Sequence, residues 1–338
     1  MNFSLYKLDS FRKQEEDLIS LREEFQSIKE YVEFENLHDI SNDNNEWIQT
    51  IISGIGDKIV DYEILVNFYR VLMYYGFFQS AWEFRKRILC RNFKIKDFNS
   101  FLQKLIENNH LGIIRRILNF LSRIRLVWKF RNNPSLKLLR MRMKTRSNLI
   151  IGPAQEDLSY INLSKYDNIH EIKKIKIGKT LDSSQNNIIW FNHQHSNGEL
   201  IKSTAALKKD NTLLISKGES AYSDVNFPRI NPFWIGSPMM LQNIIQILDI
   251  CGSKIIDVSG FNLYISSQPY SPEYPVENIS LLTDVYSRRI SIALHDPFSN
   301  FLYLKNLYRS HSIRPLGELK HVLDLEVSEY INKLKLAN

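Results

Sequence analysis

A chain of 338 residues with 43% hydrophobic side chains, among them 19 Phe, 16 Tyr and 5 Trp, can fill a sizeable core and is not the composition of a disordered protein. Its two cysteines, Cys90 and Cys251, lie among apolar residues, which excludes a disulfide framework or a cysteine-built metal site and fits a reducing compartment. The net charge of +7 is concentrated: residues 111–146 carry 11 Lys/Arg and no Asp/Glu, against 14 and 18 in residues 1–110 and 19 and 19 in residues 147–338.

Met1 to Glu16 lack the apolar run and small-residue cleavage site of a secretory signal, and no later stretch reaches the roughly eighteen apolar residues of a membrane-spanning helix. The expectation is a cytoplasmic protein. Leu18, Leu21, Phe25, Ile28 and Val32 recur in steps of three and four, the pattern of an amphipathic helix. Two further helical patterns, Ile64–Tyr74 and Gln79–Leu89, meet at Tyr75-Gly76-Phe77, where Gly76 suits a helix end, and predict a helical hairpin. Together these place an all-α domain over residues 1–146.

The basic segment 111–146 interleaves Arg115, Arg116, Arg123, Arg125 and Lys129 with Leu, Ile, Phe and Trp128. Three readings fit: an amphipathic helix on an anionic membrane surface, a solvated face of the helical domain, or a phosphate-binding patch. The membrane surface is preferred. Nucleic acid ranks last because no RNP, zinc-finger or KH signature accompanies the segment.

After Asn133-Pro134 the texture changes. Leu149–Ile151, Asn187–Phe191, Thr212–Ile215 and Lys254–Val258 are short apolar runs bounded by polar residues, which read as buried strands. Pro238–Ile250 is a helical pattern closed by Cys251-Gly252, and helices follow around Asn300–Arg309 and Gly317–Lys333. Such alternation predicts an α/β domain with a mostly parallel sheet over residues 147–338. In sheets of this kind ligands bind beyond the carboxyl ends of the strands. The residues there are Gly152-Pro153, then Asn192-His193-Gln194-His195, then Ser259-Gly260-Phe261-Asn262. His193 and His195 by themselves are a weak metal signal, and no Asp-x-Asp pair follows a strand, so no metal site is expected. A dinucleotide site is disfavoured because no G-x-G-x-x-G follows the first strand.

Ser259-Gly260, then Tyr264, Tyr270 six residues later and His295 25 residues beyond, form a combination that resembles the bacterial sialyltransferases of glycosyltransferase family 42, relatives of family 29. Leu149–Pro153 looks like that family's first strand and Gly-Pro turn, Ile188–Asn192 like its strand ending in asparagine, and Ile235-Gly236-Ser237 like its small-residue turn before a helix. The resemblance covers roughly residues 148–325. It departs in three places: Ile151-Gly152 stands where the family has an asparagine before Gly-Pro, Glu171–Lys179 replaces an Arg-x-Asn element, and the helix after Ser237 is about a turn longer. Residues 1–146 have no counterpart in the compact members.

The resemblance implies a GT-A-like, Rossmann-type fold and metal-independent, inverting transfer of sialic acid, Kdo or another nonulosonic acid from a CMP donor to a cell-surface glycan, with no cofactor. It makes His295 the base and Tyr264 and Tyr270 the holders of the leaving phosphate. Gly152, Pro153, Asn192, Gly236, Ser237, Ser259, Gly260 and Asn262 then line the nucleotide and donor site. The chemistry of these residue types agrees: imidazole accepts a hydroxyl proton near neutral pH, tyrosine hydroxyls donate to a phosphate, and a Gly-Ser turn at a helix N-terminus offers amides to a carboxylate. The expected setting is the inner face of the plasma membrane, with no nucleic acid partner; a homo-oligomer is compatible. The alternative is a degenerate transferase-like scaffold at the membrane surface.

Overall fold

The computed structural model of the protein describes residues 62–90, 124, 128, 134–143, 146–154, 157–173, 185–191, 198–206, 211–218, 220–227, 235–236, 238–253, 255–266 and 285–338. The expected hairpin is present as α1 (Tyr62–Tyr74) and α2 (Phe78–Cys90). Gly76 ends α1 at φ +80°, a left-handed conformation open to glycine, and the Phe77 amide returns to the Leu72 carbonyl at 2.9 Å. A third helix, α3 (Pro134–Met143), carries the end of the basic segment.

Seven strands follow: β1 (Ser147–Ile151), β2 (Asn168–Ile172), β3 (Asn186–Phe191), β4 (Thr212–Lys217), β5 (Val225–Phe227), β6 (Ile255–Ser259) and β7 (Arg314–Pro315). They form one sheet in the order β5-β4-β3-β2-β1-β6-β7, and each neighbouring pair is parallel. The α/β expectation is therefore met. The helices between and after the strands are α4 (Glu199–Ala206), α5 (Met240–Cys251), α6 (Val285–His295), α7 (Pro297–Arg309), α8 (Gly317–Asp324) and α9 (Val327–Ala337). Gly252, at φ +82°, closes α5 as its pattern predicts. The single helix expected over Gly317–Lys333 is instead broken at Leu325, whose backbone is extended, and α9 starts anew where the Glu329 carboxylate accepts the Glu326 amide at 2.7 Å.

One apolar cluster runs from the hairpin (Phe68, Tyr69, Phe84) through one face of the sheet (Ile150, Ile188, Ile215) to Leu248, Phe298, Phe301 and Tyr330. The opposite face is filled by Leu149, Ile151 and Ile169 and by Ile189, Phe191 and Ile201. The hairpin thus shares the core of the sheet and has none of its own, so packing draws no boundary between it and the α/β unit. The Leu18–Val32 helix and most of the basic segment lie outside the described residues. Among the described residues no helix is long and apolar enough to cross a membrane.

β2 was invisible in the sequence because its inward positions are polar. Asn148 Oδ1 on β1 accepts from Asn168 Nδ2 at 3.1 Å and meets His170 Nε2 at 3.0 Å, while Trp190 on β3 donates its indole N–H to His170 Nδ1 at 3.0 Å. An indole can only donate, so His170 Nδ1 is the acceptor and Nε2 carries the proton. Burial pulls the His170 imidazole down to about 3. Its folded value lies below the unfolded one, so the neutral ring contributes its full stability above about pH 6.5 and loses it as pH falls toward 3. Between pH 7 and pH 5 this group costs about 2 kcal/mol. Urea unfolding of wild type and His170→Gln across that range will show the variant's dependence on pH to be flatter by about that amount; equal slopes would remove His170 as the cause.

Candidate functional site

From β1 the chain adds β2 to β5 on one side of the sheet, then returns to add β6 and β7 on the other. The order reverses between β1 and β6, and a crevice opens beyond the carboxyl ends of strands at such a point. Gly152-Pro153 leave β1 there and Ser259-Gly260 leave β6. The Gly152 amide donates to the Ser259 carbonyl at 2.8 Å and the Ala154 amide to the Gly260 carbonyl at 3.0 Å, so the two turns lie backbone on backbone. A Cβ on Gly152 would stand 2.0 Å from the Gly260 oxygen. The Gly152 amide is engaged within the fold; what the glycine offers a ligand is space.

Three side-chain contacts hold the end of β6. Asp257 accepts the Tyr166 hydroxyl at 2.5 Å and the Arg314 Nε at 2.9 Å, and burial followed by the Asp257 carboxylate pushes the Tyr166 phenol up to about 12. Ser259 Oγ lies 2.9 Å from the hydroxyl of Tyr160, whose residue is 52% exposed beside the crevice.

α5 precedes β6 and runs back along the sheet, which puts its N-terminus at the same carboxyl edge. No side chain caps it. Gly236, at φ +74°, lies just before it, and a Cβ there would stand 2.4 Å from that of Asp296. Asn300 ties this region together: its Oδ1 accepts the Met239 amide at 3.2 Å, and its Nδ2 donates to the carbonyls of His295 and, at 3.0 Å, Asp296. His295, half-buried, is the last residue of α6.

Beyond Gly260, Asn262 is buried and its Oδ1 accepts the Tyr264 amide at 3.2 Å, which sustains Leu263 and Tyr264 at φ +47° and +68°. α9 grips the same turn: the Tyr330 hydroxyl donates to the Leu263 carbonyl at 2.7 Å and Asn338 Nδ2 to that of Tyr264 at 2.9 Å. Asn262 therefore shapes the turn. The Tyr264 hydroxyl lies 2.9 Å from Ser291 Oγ, one turn before His295 on α6, and burial pushes this phenol up to about 12. The fold thus brings Gly152, Pro153, Ser259, Gly260, Tyr264, Gly236 and His295 to one edge. Asn192, His193, His195, Ser237 and Tyr270 lie outside the described residues.

Sequence reasoning missed Lys173, which follows the unseen strand β2. It is half-buried, at φ +62°, and adjoins the end of β1 through the register Ile151 to Glu171; burial lowers its ammonium to about 8. Lys173, Leu263, Tyr264 and Asp296 are four of five described non-glycine residues with positive φ, and all four sit at this edge. Strained backbone persists where a site over-determines it. Gln242, in the first turn of α5, is wholly buried, and neither of its amide atoms has a protein partner. Such an amide calls for a water or a ligand atom. Among the described residues no group of three or more His, Cys, Asp or Glu could hold a metal ion.

The edge therefore carries an imidazole, a buried phenol that stays protonated, an ammonium group and a helix N-terminus without a side-chain cap, a set suited to an anionic ligand and to taking up one proton. No family model matches the chain, and neither a curated protein nor a solved structure matches it.

Proposed function

We propose that the protein is an inverting, GT-A-like glycosyltransferase that moves a sialic acid or related ulosonic acid from a CMP donor to a hydroxyl of a glycan acceptor. The observation that carries this reading is the junction at α6: Tyr264 rests on Ser291, His295 ends the same helix one turn later, and Asp296 packs on Gly236, all at the switch point of a parallel sheet.

As the bond to phosphate breaks, positive charge grows on the sugar and negative charge on the leaving CMP. Ser291 Oγ can donate to the Tyr264 oxygen, which leaves the Tyr264 proton to the phosphate; a phenol raised to about 12 remains a donor at neutral pH. The family resemblance gives Tyr270 the same role. Lys173 supplies positive charge beside Gly152, where the resemblance had left a nucleotide contact without an owner. The N-terminus of α5, with Gly236 and Gln242, receives the sugar carboxylate, a role in which the resemblance includes Ser237, and His295 takes the acceptor proton. A donor with a single phosphate needs no metal in this scheme. Exposed Trp128, Ile124 and Met141, at 75%, 48% and 80%, together with exposed Lys137 and Arg140, support a peripheral position on an anionic membrane.

The direct test is CMP release from CMP-sialic acid, CMP-Kdo and related donors with cell-surface glycans as acceptors. Acceptor-dependent release from one of them is expected, and none from any of them ends the reading. Lys173 makes a second prediction. Its ammonium loses charge as pH rises through about 8, so CMP affinity is expected to fall above that pH by up to about tenfold per unit, and Lys173→Arg to abolish the decline. Titration calorimetry from pH 7 to 9.5 checks it; a wild-type affinity flat over that range would remove Lys173 from the phosphate.

A further inference from the structure

The hairpin α1–α2 reaches the candidate site through buried polar bonds spanning more than two hundred residues of sequence. The Tyr69 hydroxyl donates to Asp296 Oδ1 at 2.5 Å, Arg85 Nη2 donates to Ser299 Oγ at 2.9 Å, and Arg85 Nε lies 3.6 Å from Asp296 Oδ2. Ser299 Oγ also donates to that carboxylate, and the Phe298 amide donates to Oδ1 at 3.1 Å. Trp82 packs edge-on against Phe298 with ring centroids 5.4 Å apart. The side chains of Asp296 and Arg85 are 0% and 3% exposed.

A buried ion pair is a poor means of stabilising a fold, since desolvation offsets most of the attraction and an apolar trio of the same volume does as well. What it does well is fix one geometry. Here it holds the residue after His295, at φ +44°, in the left-handed region that non-glycine residues enter seldom and aspartate more readily than most. Asp296 also caps α7 and packs on Gly236, and Asn300, one turn along α7, holds the His295 carbonyl. Through that knot the hairpin is tied to the residue that follows the end of α6.

We infer that Tyr69 and Arg85 are positioning residues of the active site, which through Asp296 hold His295 where it meets the acceptor hydroxyl. The inference rests on the transferase reading for its kinetic consequence but not for its structural one. It makes the segment 62–90 an integral part of the active half, so that removing residues 1–146 costs the chemistry as well as any membrane contact.

The test uses the full chain with Tyr69→Phe, which keeps the buried ring and removes one donor, and Arg85→Lys, which keeps the cation. Both are measured for kcat and KM of CMP release, CMP affinity, thermal midpoint and the imidazole signals of His295 in spectra of 15N-histidine-labelled protein, assigned with His295→Ala. Tyr69→Phe is expected to lower kcat about tenfold, with donor KM and CMP affinity within about twofold of wild type, and to displace the His295 signals. Arg85→Lys is expected to do the same more weakly. The inference is overturned if Tyr69→Phe keeps both kcat and the His295 signals of wild type, or if kcat and CMP binding fall together in proportion to the folded fraction. Should wild type release CMP from no donor, the transferase reading fails separately, and the His295 signals alone decide: displaced in Tyr69→Phe they uphold the brace, superimposed they remove it.

Discussion

His295→Ala is expected to lower the rate of acceptor-dependent CMP release by about 10²–10⁴-fold, the usual worth of a positioned general base, while CMP binds as tightly as before. The two halves of that statement come from different parts of the geometry. In the proposed reaction the imidazole at the end of α6 serves the acceptor, whereas the nucleotide would be held by the β1 and β6 turns, Lys173 and Tyr264. Alanine keeps the main-chain carbonyl that accepts from Asn300 Nδ2 and suits a helix, so the variant is expected to fold. Turnover is read from CMP release and binding from calorimetry; a variant that keeps full turnover removes His295 as the base. Loss of CMP binding along with turnover would move the residue from the acceptor to the nucleotide.

Gly152→Ala has the second large effect, for a reason that involves no chemistry. The added Cβ would lie 2.0 Å from the Gly260 oxygen and 2.7 Å from a Phe261 ring carbon. The ring can turn aside, but the carbonyl cannot, because it accepts the Ala154 amide at 3.0 Å and follows directly on β6. The expected loss is about 3 kcal/mol or more, at the upper end of overpacking costs, together with most of the CMP affinity, since the two turns that form the crevice must part. Gly76→Ala is the control. It meets no atom within 4 Å and bears only the strain of φ +80°, about 1–2 kcal/mol, with CMP affinity untouched. Urea unfolding and CMP titration of both variants separate the cases, and a Gly152→Ala protein of wild-type stability would mean the turns do not pack as described.

The strands legible in the sequence were those with unbroken apolar runs. Leu149–Ile151, Asn187–Phe191 and Thr212–Ile215 are buried on both faces, and a central parallel strand then has no polar side to interrupt it. β2 failed that test because Asn168 and His170 complete a hydrogen-bonded ladder with Asn148 and Trp190, so a buried strand reads as a loop. β5 and β7, of three and two residues, are too short for any periodicity to register. Missing β2 meant missing Lys173, which is meaningful only as the residue following a strand.

The site was legible as a set of residues and not as a place. Gly152, Ser259 and Gly260 were marked in the sequence as residues following strands, and Tyr264, Gly236 and His295 by the family resemblance. Sequence alone also set the α/β class, the hairpin, and the concentration of positive charge in residues 111–146, each a property of short-range pattern or composition. What only the tertiary structure decided is who touches whom: that the sheet reverses between β1 and β6, that Asn262 shapes a turn, that Tyr264 leans on the helix of His295, and that Tyr69 and Arg85 close on Asp296. These contacts join residues as far apart as 227 positions, and no pattern along the chain carries them. They depend on one buried carboxylate having to find donors wherever the packed helices bring them.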